Sequence, residues 1–207
     1  MADSPWPTIH AERAALAEDL ATLRPEQWQT RSLCDGWSVH QALAHLVATA
    51  RLTPPKFFGQ LASSGFSFEK FSAKNIAAYS AGGPTATLAQ LRDAQNATTA
   101  PPGPKDSWLG ETLVHSEDIR RPLGIKRDYP LPWVTRAIEF YSGSNVLIGG
   151  KKRVAGLTLK ATDTDWSHGS GPLVEGPAIS LLLAATGRKA ALDDLTGPGV
   201  EQLRARS

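Results

Sequence analysis

Apolar residues recur at helical spacing up to about Gly149 and then change period, and this change restricts the chain to few architectures. Ile9, Leu16, Leu20 and Leu23 mark one helical face until Pro25 stops the run. Asp35-Gly36 reads as a turn, after which a second helix begins at Trp37, with Ser38 and Gln41 placed as a capping box. It continues through Leu43, Leu46 and Val47 to about Arg51, before Pro54-Pro55. Further helices are expected at Phe68–Ala81 and Thr85–Asn96, the first closed by Gly82-Gly83-Pro84. A breaker-rich stretch, Ala100-Pro101-Pro102-Gly103-Pro104, precedes a helix from about Asp106, its expected cap, to Arg120. Val134, Ala137, Ile138 and Tyr141 predict one more.

Beyond Gly150 the pattern becomes strand-like at Val154, Leu157 and Leu159, and again at Leu173-Val174 after a turn at Gly169-Ser170-Gly171. Pro177 suits the first turn of a helix through Leu181, Leu182 and Leu183, and Leu195 to Arg206 reads as a last short helix. The expected fold class is α+β: a helical bundle over residues 1–149 followed by a small α+β domain over 150–207.

Composition narrows the function. Twenty-two Lys and Arg against 20 Asp and Glu leave a net charge of +2, which argues against a nucleic-acid partner. The one cysteine, Cys34, excludes an internal disulfide and a Cys-rich zinc framework. No apolar run approaches the ~18–20 residues of a membrane span. Met1 to Trp6 has no basic region followed by an apolar core, so no secretory signal is expected and the expected compartment is the cytoplasm.

The residues able to carry chemistry are few. Glu111 and His115 are four apart, so a helix places them on one face about 6 Å apart along its axis. A carboxylate and an imidazole at that spacing can chelate one metal ion, although the same pair also occurs on plain surface helices. His45, two turns into the second helix, adds another imidazole. Together the three make a two-histidine, one-carboxylate set with a fourth position open, as in catalytic zinc sites. Asp118, three residues past His115, either orients an imidazole or pairs with Arg121 in solvent. Cys34 reads as a packed small side chain, and His10, His40 and His168 as surface residues. Asn75 reads as a loop or surface residue, the alternative being the bundle interior, and Trp37 and Trp108 as core or staple residues.

Two blocks carry a family resemblance. Leu33-Cys34-Asp35-Gly36-Trp37-Ser38-Val39-His40-Gln41-Ala42-Leu43-Ala44-His45-Leu46 resembles the opening signature of the mycothiol-dependent maleylpyruvate isomerase-like group, among the DinB-like metal-binding bundles. Gly110 to Gly124, with Glu111, His115, Asp118 and Ile119-Arg120-Arg121-Pro122-Leu123-Gly124, resembles the group's second signature. Gln41 departs from it, standing where many relatives carry an acidic residue. Val174-Glu175-Gly176-Pro177 and Ala185-Thr186-Gly187-Arg188 are similar to its small appended domain.

The resemblance implies an up-and-down four-helix bundle that binds one divalent metal, usually zinc, through His45, Glu111 and His115. It also implies mycothiol, the small thiol of actinobacteria, as cofactor, with a small electrophile as substrate. Zinc with an open position holds a thiolate, lowering the thiol pKa from ~8.5 towards neutral. That thiolate attacks a substrate carbon. Addition, rotation and loss of the thiolate give a cis–trans isomerase, whereas addition without loss gives an S-transferase. Arg188 is the candidate catalytic clamp for a substrate carboxylate, the alternative being a helix-ending arginine. A two-histidine, one-carboxylate set also suits iron. The reading from another class is a non-catalytic protein whose bundle holds metal and whose C-terminal domain binds a small ligand. Monomer and homodimer both fit.

Overall fold

The computed structural model describes residues 3–146 and 148–206. Met1 and Ala2, where the stretch read for a leader begins, lie outside them. The chain divides into two compact units after Lys126.

The first unit carries α1 (Trp6–Asp19), α2 (Val39–Arg51), α3 (Pro54–Ser63), α4 (Phe68–Ser80), α5 (Gly83–Ala94) and α6 (Lys105–Arg120). Short 3₁₀ turns at Leu20–Thr22 and Pro25–Gln29 join α1 to the loop before α2. Both α1 and α2 pack against α5 and α6, which makes these four a bundle, and α4 lies along α2 and α5. Leu16 and Leu20 from α1 and its following turn, Leu43 and Val47 from α2, Leu91 from α5 and Ile119 from α6 meet in its core with Trp28. Each such side chain contributes about 1.5–3 kcal/mol by leaving water.

Local sequence explains most of the helix ends. The capping box forms as expected: Gln41 N donates to Ser38 Oγ at 3.3 Å and Ser38 N to Gln41 Oε1 at 2.9 Å. Gln41 thus has a local job where relatives are acidic. Pro54 and Pro55 do more than end α2. They occupy the first turn of α3, a helix absent from the sequence reading, where a missing N–H costs nothing. Helix α6 starts at Lys105 with Pro104 before it, and Asp106 sits inside its first turn rather than capping it.

α6 buries Thr112, Ser116, Glu117, Asp118 and Arg120 as well as leucines, so it lacks a simple apolar stripe. Fully buried Arg120 is held by Asp19 at 2.7 Å and Glu12 at 3.4 Å, which ties α6 to α1.

The second unit begins at Arg127, earlier than the expected 149/150 division. The helix predicted around Val134 is α7 (Leu131–Gly143), and it packs on α8 (Gly150–Val154) and α9 (Ala178–Ala185), which places it with this unit. Strands β1 (Thr158–Ala161), β2 (Ser167–Gly169) and β3 (Leu173–Gly176) form a sheet in the order β2-β1-β3. β1 runs antiparallel to β2, pairing Leu159 with His168, and parallel to β3, pairing Leu159 with Val174. Gly169, at φ +84°, sits where a Cβ would collide with the Leu157 carbonyl. Val154, read as strand, ends α8 instead. α10 (Val200–Arg204) is the expected last short helix. A helical bundle followed by a small α+β part is therefore the fold. No helix among the described residues is long and apolar enough to cross a membrane.

Candidate metal centre

The site is built on two helices and one loop of the first unit. His45 comes from α2, and Glu111 and His115 from adjacent turns of α6. Their ligand atoms all lie within 4.8 Å of one another. His45 Nε2 is 3.5 Å from Glu111 Oε1, and the two imidazoles meet edge to face with centroids 4.7 Å apart. The helical repeat supplies the Glu111–His115 pair, and the packing of α2 on α6 supplies His45.

Both Glu111 oxygens are buried, and neither accepts a hydrogen bond. Such a carboxylate is expensive to bury unless a cation sits with it. Burial pushes its pKa up, and the neighbouring His115, Thr49 and Arg13 offset part of that. A divalent ion among two imidazoles and this carboxylate would satisfy the orphaned oxygens. The donor set and the buried carboxylate therefore fit a zinc-type ion.

Asp118 answers the alternative left open by its spacing. It is fully buried, and its Oδ2 lies 2.8 Å from His115 Nδ1, while Arg121 pairs with Glu117 at 2.8 Å. A carboxylate can only accept, so Nδ1 carries the proton and Nε2 is left to face a metal. Burial lowers the His115 pKa, but hydrogen bonds with Asp118 and Cys34, and their charge, outweigh it and raise it to about 10. A metal must therefore displace a proton to bind.

Three neighbours of the site escaped the sequence reading. Cys34, expected as packing, brings its Sγ within 3.0 Å of Asp118 Oδ2 and 3.5 Å of His115 Nδ1. The Trp37 ring lies 5.1 Å from that of His45 and 6.3 Å from that of His115, so it faces the site rather than serving only as core. Arg13 is a buried guanidinium whose charge acts on Glu111, and it donates to Ala97 O at 2.9 Å. The signal for Cys34 and Trp37 was their place in one short block with His45. Nothing in the spacing ties that block to residues about eighty positions later.

The other expected residues fall as follows. His40 is buried, not on the surface, and lies 2.9 Å from Thr87 Oγ1, linking α2 to α5, and burial lowers its pKa. Asn75 is buried on α4 and donates to Phe71 O at 3.0 Å. His10 lies 3.2 Å from Ala97 O, and His168 is exposed on β2, stacked on Trp166. Arg188 belongs to the second unit, where it donates to Thr186 O at 2.9 Å just past α9. Burial lowers the pKa of Arg153, and the charge of Arg188 adds to that.

Residues 9–108 match the profile of the family described as mycothiol maleylpyruvate isomerase N-terminal domain. That span includes His45 and stops just before Glu111. No curated protein matches the sequence. Among solved structures, the chain resembles a histidine-to-alanine mutant of the mycothiol-dependent maleylpyruvate isomerase, with a TM-score of 0.61 and 17% identity over 93% of this chain and 91% of that one. It likewise resembles the mycothiol-dependent maleylpyruvate isomerase itself, with a TM-score of 0.60 and 15% identity over the same shares. At these identities the likeness shows the fold.

Proposed function

We propose, for a chain whose residues 9–108 match the mycothiol maleylpyruvate isomerase N-terminal domain, a metal-dependent enzyme that uses mycothiol on a small electrophile. The observation that carries this reading is the convergence of His45, Glu111 and His115 around two buried carboxylate oxygens without hydrogen bonds. Among the described residues this ligand set has three members. A divalent ion there would keep a position for an outside ligand, as catalytic zinc sites do. The bound ion, with zinc the best fit, would supply Lewis acidity that holds the thiol of mycothiol as a thiolate near neutral pH.

The protein's own groups prepare that chemistry. Asp118 holds the proton on His115 Nδ1 and so leaves Nε2 as the nitrogen that gives up its proton to a metal. The Trp37 ring lies 5.1 Å from that of His45 and 6.3 Å from that of His115 and forms part of the site wall. Arg188 is the proposed clamp for a substrate carboxylate, which a guanidinium grips in two-pronged fashion. Cis–trans isomerisation of a maleylpyruvate-type substrate and S-transfer to an electrophile need the same ligand set, and the substrate chosen decides between them. The reducing cytoplasm is the proposed setting, with mycothiol and the electrophile as small-molecule partners.

The test is metal analysis of the purified protein. It is followed by assays of mycothiol consumption with a panel of electrophiles and of maleylpyruvate isomerisation. Bound zinc with mycothiol-dependent turnover supports the reading. A zinc-loaded protein that consumes no thiol and isomerises nothing would instead be a metal- and ligand-binding protein.

A further inference from the structure

We infer that Cys34 is a positioning residue of the metal centre: by donating its S–H to Asp118 it locks the carboxylate that orients His115. The inference rests on the metal reading above and adds a residue to which no role has been given.

Cys34 lies in the loop that leads into α2. Trp37 N donates to Cys34 O at 3.1 Å, Ser32 N to Trp37 O at 3.0 Å, and Cys34 N to Ser32 Oγ at 3.2 Å. These bonds close a tight loop around Asp35-Gly36, where Gly36 takes φ +78°. The loop is then fastened to α6 at one residue, twice. Leu33 N donates to the Asp118 main-chain oxygen at 3.0 Å, and Cys34 Sγ reaches the Asp118 side chain at 3.0 Å.

The oxygen that receives the thiol is Oδ2, which also lies 2.8 Å from His115 Nδ1. With two donors on one oxygen, the carboxylate cannot rotate without breaking both bonds. With the thiol gone, Oδ2 would lose one of the two donors that fix it against the imidazole. Cys34 is not a fourth ligand of the His45–Glu111–His115 set, because it reaches His115 at Nδ1, the nitrogen engaged by Asp118, and so leaves Nε2 as the one open to a metal. Nor do Cys34, His115 and Asp118 offer a second metal site, since Nδ1 and Oδ2 are engaged with each other. Trp37, three residues on, comes near both imidazoles, so a single loop contacts His115 through Cys34 and Trp37.

The test compares the full-length wild type with Cys34→Val, which keeps bulk but removes the donor, and Cys34→Ser, which keeps a donor. In the metal-free proteins, nitrogen-15 NMR follows the His115 Nδ1–H signal and its exchange with water. Zinc affinity is then measured by chelator competition. Wild type should show a protected Nδ1–H. Cys34→Val should lose that protection and bind zinc about 10–100-fold more weakly, the range for a lost partner behind a ligand. Cys34→Ser should keep the signal and most of the affinity. A Cys34→Val protein with wild-type signal and affinity overturns the inference, and so does a Cys34→Ser protein that falls as far as Cys34→Val. If Cys34→Val fails to fold by circular dichroism, Cys34→Ser decides: a folded Ser variant without the protected signal overturns the inference, and one that keeps it supports it. A wild-type protein with the protected signal but no zinc binding defeats the metal reading, while the Val–Ser contrast in that signal still decides the role of Cys34.

Discussion

Replacing Glu111 with methionine should stabilise the metal-free protein while destroying its metal site. Glu111 carries two buried oxygens that accept no hydrogen bond, and burial dominates the rise in its pKa. A buried polar group left unsatisfied costs about 1–3 kcal/mol. Methionine keeps the length of the side chain and removes both oxygens. Losing the attraction of Glu111 for His115 and Arg13 offsets part of this, and a net gain of about 1 kcal/mol, at roughly 2–4 °C per kcal/mol for a chain of this size, raises Tm by about 2–4 °C.

The sign follows from the carboxyl's protonation. Its folded pKa is raised above the unfolded value of ~4.3. The stability it contributes is therefore fully present below that unfolded value and is lost as pH rises through the raised one. The advantage of Glu111→Met should accordingly be small in acid and grow with pH across that window. Zinc should reverse the order. At a free concentration 100 times Kd, binding adds about 2.7 kcal/mol to wild type and nothing to a variant that cannot bind. The assay is thermal unfolding of both proteins after chelator treatment, repeated with zinc and at several pH values. A metal-free Glu111→Met less stable than metal-free wild type would refute the reasoning, as would an equal response of both to zinc.

His45→Ala and His115→Ala should each strip the metal, whereas His168→Ala, exposed on β2, should leave metal content at the wild-type level by elemental analysis. Because the His115 pKa is raised to about 10 in the metal-free protein, a metal binds by displacing a proton. Zinc affinity should therefore climb about tenfold per pH unit below that value for each proton released, and titration calorimetry in buffers of different ionisation heat would expose a flat profile. Arg188→Ala should raise KM or lower kcat for a carboxylate-bearing substrate with metal content unchanged, and Arg188→Lys should restore only part of the loss. Wild-type kinetics in Arg188→Ala would remove the clamp and leave the metal chemistry standing.

What was legible in the sequence was local. Glu111 and His115 share a face because an α-helix repeats every 3.6 residues, and that holds wherever the helix sits. The start of α2 was legible because Ser38 and Gln41 bond only to each other's backbone, and the helical bundle was legible in its apolar period. The block around His45 also carried the family resemblance, and it lies within residues 9–108, which match that family's profile, whereas the block around Glu111 lies beyond the matched span. Tertiary packing decided the rest. His45 joins Glu111 and His115 only because α2 lies on α6. Asp118 faces His115 rather than Arg121 because its carboxylate is sealed inside the bundle and Arg121 finds Glu117. His40 looks like a surface residue until α5 closes over it with Thr87. α7 belongs with the sheet because it packs on α9, although its period matches the helices before it. Cys34 reaches Asp118 across 84 positions of chain. Helical period and capping act over a few residues and can be read from order alone. A partner for a buried polar group is chosen by whichever distant segment folds against it, and no local pattern encodes that choice.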